Sequence, residues 1–150
     1  MTRRYFTMAS HEPTDHANGS IFGPYVYIFD DSMPAEAIQD KANSIFKHME
    51  ANEFCAEGYA LLFKPGTYRV LFDVGFYTHV AGLGQNPDDV LIEGGANVPA
   101  YWMPNRNATC NFWRSFENLA INASEATNCT TTIAVSQVSR RRQSQLSCAY

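Results

Sequence analysis

The sequence is short of several things, and each shortage removes a class of function. No apolar run approaches the ~20 residues that a membrane-spanning helix needs, so no such span is expected. Charged residues make up only 17% of the chain, and Lys plus Arg at 11 against Asp plus Glu at 15 leaves a net charge of −4. That balance disfavours a nucleic-acid partner, which a basic surface would serve. None of Cys55, Cys110, Cys129 and Cys148 forms a C-x-x-C pair, which argues against a zinc ribbon or a thioredoxin-type site. His11, His16, His48 and His79 make no H-x-H or H-x-x-x-H pair, and no Asp-rich loop suits calcium, so no metal is expected. No nucleotide-binding loop is present, and no cofactor is expected. The first 20 residues contain Arg3 and Arg4 but no apolar stretch, so this chain shows no leader peptide.

What the chain does have is apolar and aromatic weight. Hydrophobic residues are 45% and aromatic ones 13% of 150, enough to pack one domain. Residues 1–20 are polar and aperiodic and read as a flexible arm. Tyr25–Phe29 is a β-branched and aromatic run, consistent with a buried strand. Asp30-Asp31-Ser32 stops it, Asp31 or Ser32 can cap a helix, and Pro34 suits the first turn. The periodicity predicts a helix over 34–51, with Ile38, Ala42, Ile45, Phe46 and Met49 on one face.

From Tyr59 onward the pattern is short strands. The candidates are Tyr59–Phe63, Tyr68–Phe72, Thr78–Gly84, Val90–Gly95, a further strand beginning at Val98, Glu117–Asn122 and Thr131–Ser136. One helix among so many strands excludes a doubly wound α/β fold. An antiparallel sandwich and a right-handed parallel β-helix remain. Tight Asn-Gly hairpin signals are absent after residue 20, and the bends carry Pro-Gly, Gly-Leu-Gly and Asn-Pro-Asp-Asp instead. These favour the β-helix, mainly β, with the helix lying as an N-terminal amphipathic cap across the open first coil.

Tyr59-Ala-Leu-Leu-Phe-Lys-Pro-Gly-Thr-Tyr68, Val80-Ala-Gly-Leu-Gly84 and Asp89-Val-Leu-Ile-Glu-Gly94 together resemble the opening coils of the pectin-lyase-like superfamily. More narrowly, FGPYVYIFDDSMPAEAIQ, GFYTHVAGLGQNPDDV and NATCNFWRSFENLAI resemble a group of secreted microbial β-helix proteins. Some of these carry discoidin-type (coagulation factor 5/8 type) modules, and some are labelled adenylyl cyclase. The resemblance spans roughly residues 22–138 and implies a polysaccharide partner. It does not choose among lyases, glycoside hydrolases, esterases and adhesins, because fold does not give function. Nothing in the residues supports a cyclase. The region 21–138 reads as the first part of a β-helix. The segment 139–150 breaks the strand rhythm and reads as an irregular tail at a truncation, which leaves a last coil able to self-associate.

Four sequons, Asn18-Gly-Ser20, Asn107-Ala-Thr109, Asn122-Ala-Ser124 and Asn128-Cys-Thr130, suggest an extracellular protein with glycans at Asn107, Asn122 and Asn128. The cysteines allow two disulfides in three connectivities, and buried or unpaired thiols are the plainer alternative. Asp88 and Asp89 follow Asn86-Pro87 and read as turn formers. Asp73 reads as a hydrogen-bonded corner residue and Glu93 as a solvated one, so no catalytic residue is assigned. The aromatic segment with Tyr101, Trp102, Trp113 and Arg114 is the candidate sugar-binding surface. Its rings can lie on the apolar face of a sugar while Arg114 donates to hydroxyls or carboxylates. The competing reading is that these residues merely pack a long loop onto the coil. The chain is therefore expected to be part of an extracellular polysaccharide-acting glycoside hydrolase or lyase. A non-catalytic carbohydrate-binding or adhesin-like module and an inactive truncated product are the alternatives.

Overall fold

The computed structural model describes residues 21–99, 101 and 113–123. The arm expected over 1–20, the strand expected at Thr131–Ser136 and the tail 139–150 lie outside the described residues. The elements in chain order are β1 (Val26–Phe29), α1 (Ala35–Met49), β2 (Tyr59–Phe63), β3 (Gly66–Asp73), β4 (Thr78–Gly82), β5 (Val90–Asn97), β6 (Ser115–Glu117) and β7 (Ala120–Ala123). They form a four-stranded sheet in the order β1-β2-β4-β6 and a three-stranded sheet in the order β3-β5-β7. Every pairing among the described strands is parallel, which excludes the antiparallel sandwich. From β2 onward the chain alternates between the two sheets. Each strand therefore stacks on one from the preceding turn of the chain, roughly 4.8 Å away.

Register decides what fills the interior. In the first sheet Tyr27, Leu61, Val80 and Phe116 are aligned, as are Phe29, Phe63 and Gly82. In the second, Tyr68, Ile92 and Ile121 form one column, and Phe72 aligns with Ala96. Apart from Gly82, these residues belong to one buried cluster or, for Tyr27, Ala96 and Ile121, pack against it half-buried, and Ile38, Ala42, Ile45 and Met49 of α1 complete it. Alternation along β3 is strict: Tyr68, Val70 and Phe72 are buried, while Thr67, Arg69 and Leu71 face solvent.

The helix forms close to its expected bounds, and all five apolar-face residues are buried. Its start differs from expectation. Pro34 occupies the N-cap position, and no side chain caps the helix. Asp30 instead closes the preceding turn, accepting the Ser32 N–H at 3.1 Å and Lys64 Nζ at 2.9 Å. Those bonds hold its carboxyl well below the usual carboxylate range.

The helix lies against β3, the outer strand of its sheet. There Gln39 does what a neighbouring strand would do. Its Nε2 donates to the Leu71 carbonyl at 2.7 Å, and its Oε1 accepts the Leu71 N–H at 2.9 Å. One side-chain amide thus satisfies both backbone groups of a residue on an otherwise open edge.

Two strand expectations are corrected. Glu117–Asn122 is not one strand: it breaks into β6 and β7, because Asn118 adopts a left-handed backbone (φ 49°) and turns the chain from one sheet to the other. Asn118 Nδ2 locks that corner onto the Gly82 and Gly84 carbonyls at 2.9 and 2.8 Å. The corner passes so close that a Cβ on Gly82 would stand 2.0 Å from the Asn118 carbonyl oxygen. Val98 does not begin a strand; it is a buried residue just past the end of β5.

Tyr68 carries a pH prediction. Its ring is 2% exposed, and its hydroxyl donates to the Lys64 carbonyl at 2.8 Å. Burial, reinforced by the charges of Asp31 and Asp30, pushes the phenol from 10.0 up to about 12. Between these values the unfolded chain loses a proton that the folded chain keeps, so stability falls as pH rises through that window and is fully present below it. Urea midpoints measured from neutrality to alkaline pH should stay flat to about pH 10 and then fall toward about pH 12. Tyr68→Phe should start lower, by about 1 kcal/mol for the lost hydrogen bond, and fall less steeply. An equal slope in the variant would refute the assignment.

Candidate functional site

The second sheet feeds back into the first at a corner that recurs in successive turns of the chain. Residues 74–77 join β3 to β4, and residues 98–114 join β5 to β6. Asp73 and Asn97, paired in register, close the two strands that lead into this corner. Asn97 Nδ2 donates to Asp73 Oδ1 at 3.2 Å, and the Val74 N–H donates to the Asn97 carbonyl at 2.9 Å. Asp73 is therefore the hydrogen-bonded corner residue that its setting predicts. Its carboxyl is raised above the ordinary value by burial and by the charge of Glu50, against the lowering effect of Asn97. Glu50, just past the end of α1, accepts the Tyr101 hydroxyl at 2.9 Å. Partial burial and this bond raise the Tyr101 phenol in turn.

The far end of the corner is aromatic and strained. His79 pairs in register with Ser115, which makes Tyr77 and Trp113, two residues earlier, equivalent positions on successive turns. Both have left-handed backbones, φ 51° and 68°. For a bulky aromatic residue that is a real outlier. Tyr77 holds the column together: its N–H donates to the Trp113 carbonyl at 2.6 Å, its carbonyl accepts the Tyr59 N–H at 2.9 Å, and its hydroxyl donates to the Glu53 carbonyl at 2.6 Å.

The sequence-predicted residues divide at this corner. Tyr101 and Trp113 are on the surface, 60% and 67% exposed. Arg114 points the other way and is 7% exposed. Its Nε donates to the Gly75 carbonyl at 3.1 Å, and its guanidinium lies over the Phe76 ring with Cζ 4.6 Å from the centroid. Burial lowers its pKa to about 10. Arg114 thus anchors the backbone that presents Trp113. Trp102, Asn107 and Asn128 lie outside the described residues. Asn122 is exposed on β7, beside Glu93. Cys55 is a free thiol, and Cys110, Cys129 and Cys148 lie outside the described residues.

Two other carboxylates of the strand region have structural partners. Asp89 Oδ2 accepts the Asn86 N–H at 2.8 Å and closes a short 3-10 turn over Pro87–Asp89. Glu93 pairs with Arg69 at 3.2 Å. Among the described residues no group of three His, Cys, Asp or Glu side chains could hold a metal ion. None of the described helices is long and apolar enough to cross a membrane.

Sequence reasoning missed Glu50 and Tyr77. Glu50 reads as one more solvated residue on the polar face of the helix. Its partner is 51 positions away, and no local spacing reports such a pair. Tyr77 follows Gly75, a turn signal, but only stacking reveals that it matches Trp113. Chemically, this corner combines exposed ring faces with carboxylate acceptors, an arrangement that suits an uncharged polyhydroxylated ligand.

No protein-family model matches the chain. It is 50% identical over 111 residues to an exo-beta-1,3-glucanase of Streptomyces sp. (strain SirexAA-E / ActE), which covers 73% of this chain and 18% of that protein. Among solved structures it is similar to sacteLam55A from Streptomyces sp. SirexAA-E, with a TM-score of 0.65 and 50% identity over 70% of this chain and 19% of that one. A variant of the same protein in complex with glucose matches with a TM-score of 0.63 and 48% identity, over 72% and 19%. These findings overturn the resemblance to the pectin-lyase-like superfamily and to its discoidin-bearing, sometimes cyclase-labelled group. The physical reason is that Pro-Gly-x-Tyr and x-G-x-G segments are turns that any stacked parallel coil needs at its corners, so they report coil geometry rather than ancestry. The chain spans less than a fifth of the length of the glucanase it matches.

Proposed function

We propose that the described coils belong to a right-handed parallel β-helix with α1 laid over its first turn, and that the corner bearing Tyr101 and Trp113 binds polysaccharide within an extracellular glycoside hydrolase. The observation that carries this reading is the backbone of Trp113. A left-handed conformation costs an L-residue ~1–2 kcal/mol, and such strain concentrates at binding sites, where the surroundings over-determine it. Here Arg114 on one side and Tyr77 on the other impose it, and the result is an indole face held in solvent.

The chemistry favours a neutral β-glucan over a uronan. Indole and phenol rings stack on pyranose faces, and Glu50 and Asp73 can accept hydroxyls. A uronate would meet two carboxylates, with the Arg114 guanidinium turned into the interior. A non-catalytic binding module is the second reading. It is favoured by Glu50 and Asp73 being hydrogen-bonded within the protein, to Tyr101 and Asn97.

The test is retention of the chain on insoluble β-1,3-glucan and on polygalacturonate, with released sugar measured in parallel. Retention on the glucan alone is expected. Equal retention on both polymers, or none on the glucan, refutes the reading. Release of glucose distinguishes the hydrolase from the module.

A further inference from the structure

The edge of β3 that Gln39 covers at Leu71 is open nearer the start of the strand. Both backbone groups of Leu71 point toward the helix. Backbone groups along a strand alternate between its two sides. Those of Thr67 and Arg69 therefore point the same way as those of Leu71, while Tyr68, Val70 and Phe72 serve the ladder with β5. Among the described residues no group takes up the edge N–H and C=O of Thr67 or Arg69. A cavity of about 280 Å³ lies against them. Met33, Ala35 and Ile38 form its apolar wall, and Thr67 and Arg69 the opposite one. Along the strand it is bounded at both ends. Asp31 lies over Gly66, where an added Cβ would stand 2.6 Å from the Asp31 Cβ, and Gln39 occupies Leu71.

An unpaired strand edge is a template for another chain. Gln39 shows what this one accepts: a planar amide that presents N–H and C=O together. The open positions, Thr67 and Arg69, repeat at roughly 6.6 Å, twice the rise per residue of a strand. An extended peptide backbone has that same repeat and supplies both groups at each step. A strand parallel to β3, the sense of every described pairing, begins beside Asp31 and ends beyond the exposed Arg69. Those charges favour a basic residue at its beginning and an acidic one at its end, with an apolar side chain between them against Met33 and Ile38.

We infer that the edge of β3 between Asp31 and Gln39 is a docking site for a short extended peptide, which joins the second sheet as a further strand. The site lies at the start of β3, whereas the corner bearing Tyr101 and Trp113 follows its end. Peptide binding and glucan binding can therefore be lost separately.

The experiment is calorimetric titration of the full chain with two acetylated and amidated peptides, Lys-Val-Thr-Val-Glu and Lys-Pro-Pro-Pro-Glu. Saturable binding of the first is expected. The second should bind at least about tenfold more weakly, because proline has no N–H for the edge carbonyls. Arg69→Pro should weaken binding of the first peptide by a similar factor and leave the fold intact in a thermal melt, since an edge strand tolerates proline where the N–H faces away from the ladder. Arg69→Ala keeps that N–H and should bind nearly as well as the wild type. If Arg69→Pro unfolds the chain, the two peptides alone decide. Equal binding of both peptides, or a loss in Arg69→Ala as large as in Arg69→Pro, overturns the strand pairing. Absence of binding by the first peptide also overturns it, and a wild-type dimer that Arg69→Pro abolishes would then assign the edge to a second copy of this chain.

Discussion

Phe63→Ala should lower the unfolding free energy by about 3–5 kcal/mol, the range for deleting a buried phenylalanine ring. The side chain is completely buried. Although it belongs to the first sheet, it touches both: its ring centroid is 4.9 Å from that of Phe29, 4.9 Å from Tyr68 and 5.4 Å from Phe72. Its ring is one of the contacts through which the two sheets meet. The next position in its column is Gly82, which brings no side chain into the space that truncation would open. Gly82 cannot be enlarged in compensation, since its Cβ would collide with the Asn118 carbonyl. The resulting cavity therefore stays unfilled, and the cost should fall toward the upper end of the range. Such a loss is a large fraction of the ~5–15 kcal/mol that stabilises an ordinary domain. Urea unfolding should show a much lower midpoint with an unchanged slope. Leu71→Ala, on the outward face of β3, is the control and should cost less than about 1 kcal/mol. A loss below that level for Phe63→Ala would mean that the sheets do not meet as described.

Trp113→Gly should have the opposite profile: glucan binding weakened roughly tenfold or more, with stability unchanged or raised by up to about 1 kcal/mol. Glycine adopts a φ of 68° without the Cβ clash that burdens tryptophan. Little packing is lost, because the indole is 67% exposed. The bond from the Tyr77 N–H to the carbonyl of residue 113 involves only backbone and survives the substitution. Retention on β-1,3-glucan and a thermal melt measure the two effects on one preparation. A variant that binds as well as the wild type removes Trp113 from the site. A variant that unfolds shows instead that the indole packs the loop onto the coil. The expected combination, more stable but less able to bind, marks strain retained for function.

Much of this was legible in the sequence because it is local. The apolar positions of α1 repeat with the helical period, and β2 runs over the same residues, Tyr59–Phe63, that the β-branched and aromatic pattern marks. Gly and Pro punctuation separates strands too numerous, and helices too few, for a doubly wound fold. The lack of tight hairpin signals pointed to the parallel pairing that the structure has. The aromatic weight around Tyr101 and Trp113 was visible as well. Its lineage was not, because short turn motifs are shared by any chain that must bend at regular intervals.

Chain periodicity and composition alone determined that strands and one amphipathic helix would form, which residues would seek the interior, and that both tryptophans, Trp102 and Trp113, would fall in one late segment. Only the tertiary structure decided that Trp113 faces water while Arg114 faces the core, that Asn118 splits one apparent strand into two, and that Glu50 meets Tyr101 across 51 positions. The physical reason is that a strand's inward face follows from a period of two, read from neighbouring residues. The direction of a corner residue depends on its backbone angles, which are imposed by the turns of chain stacked above and below it.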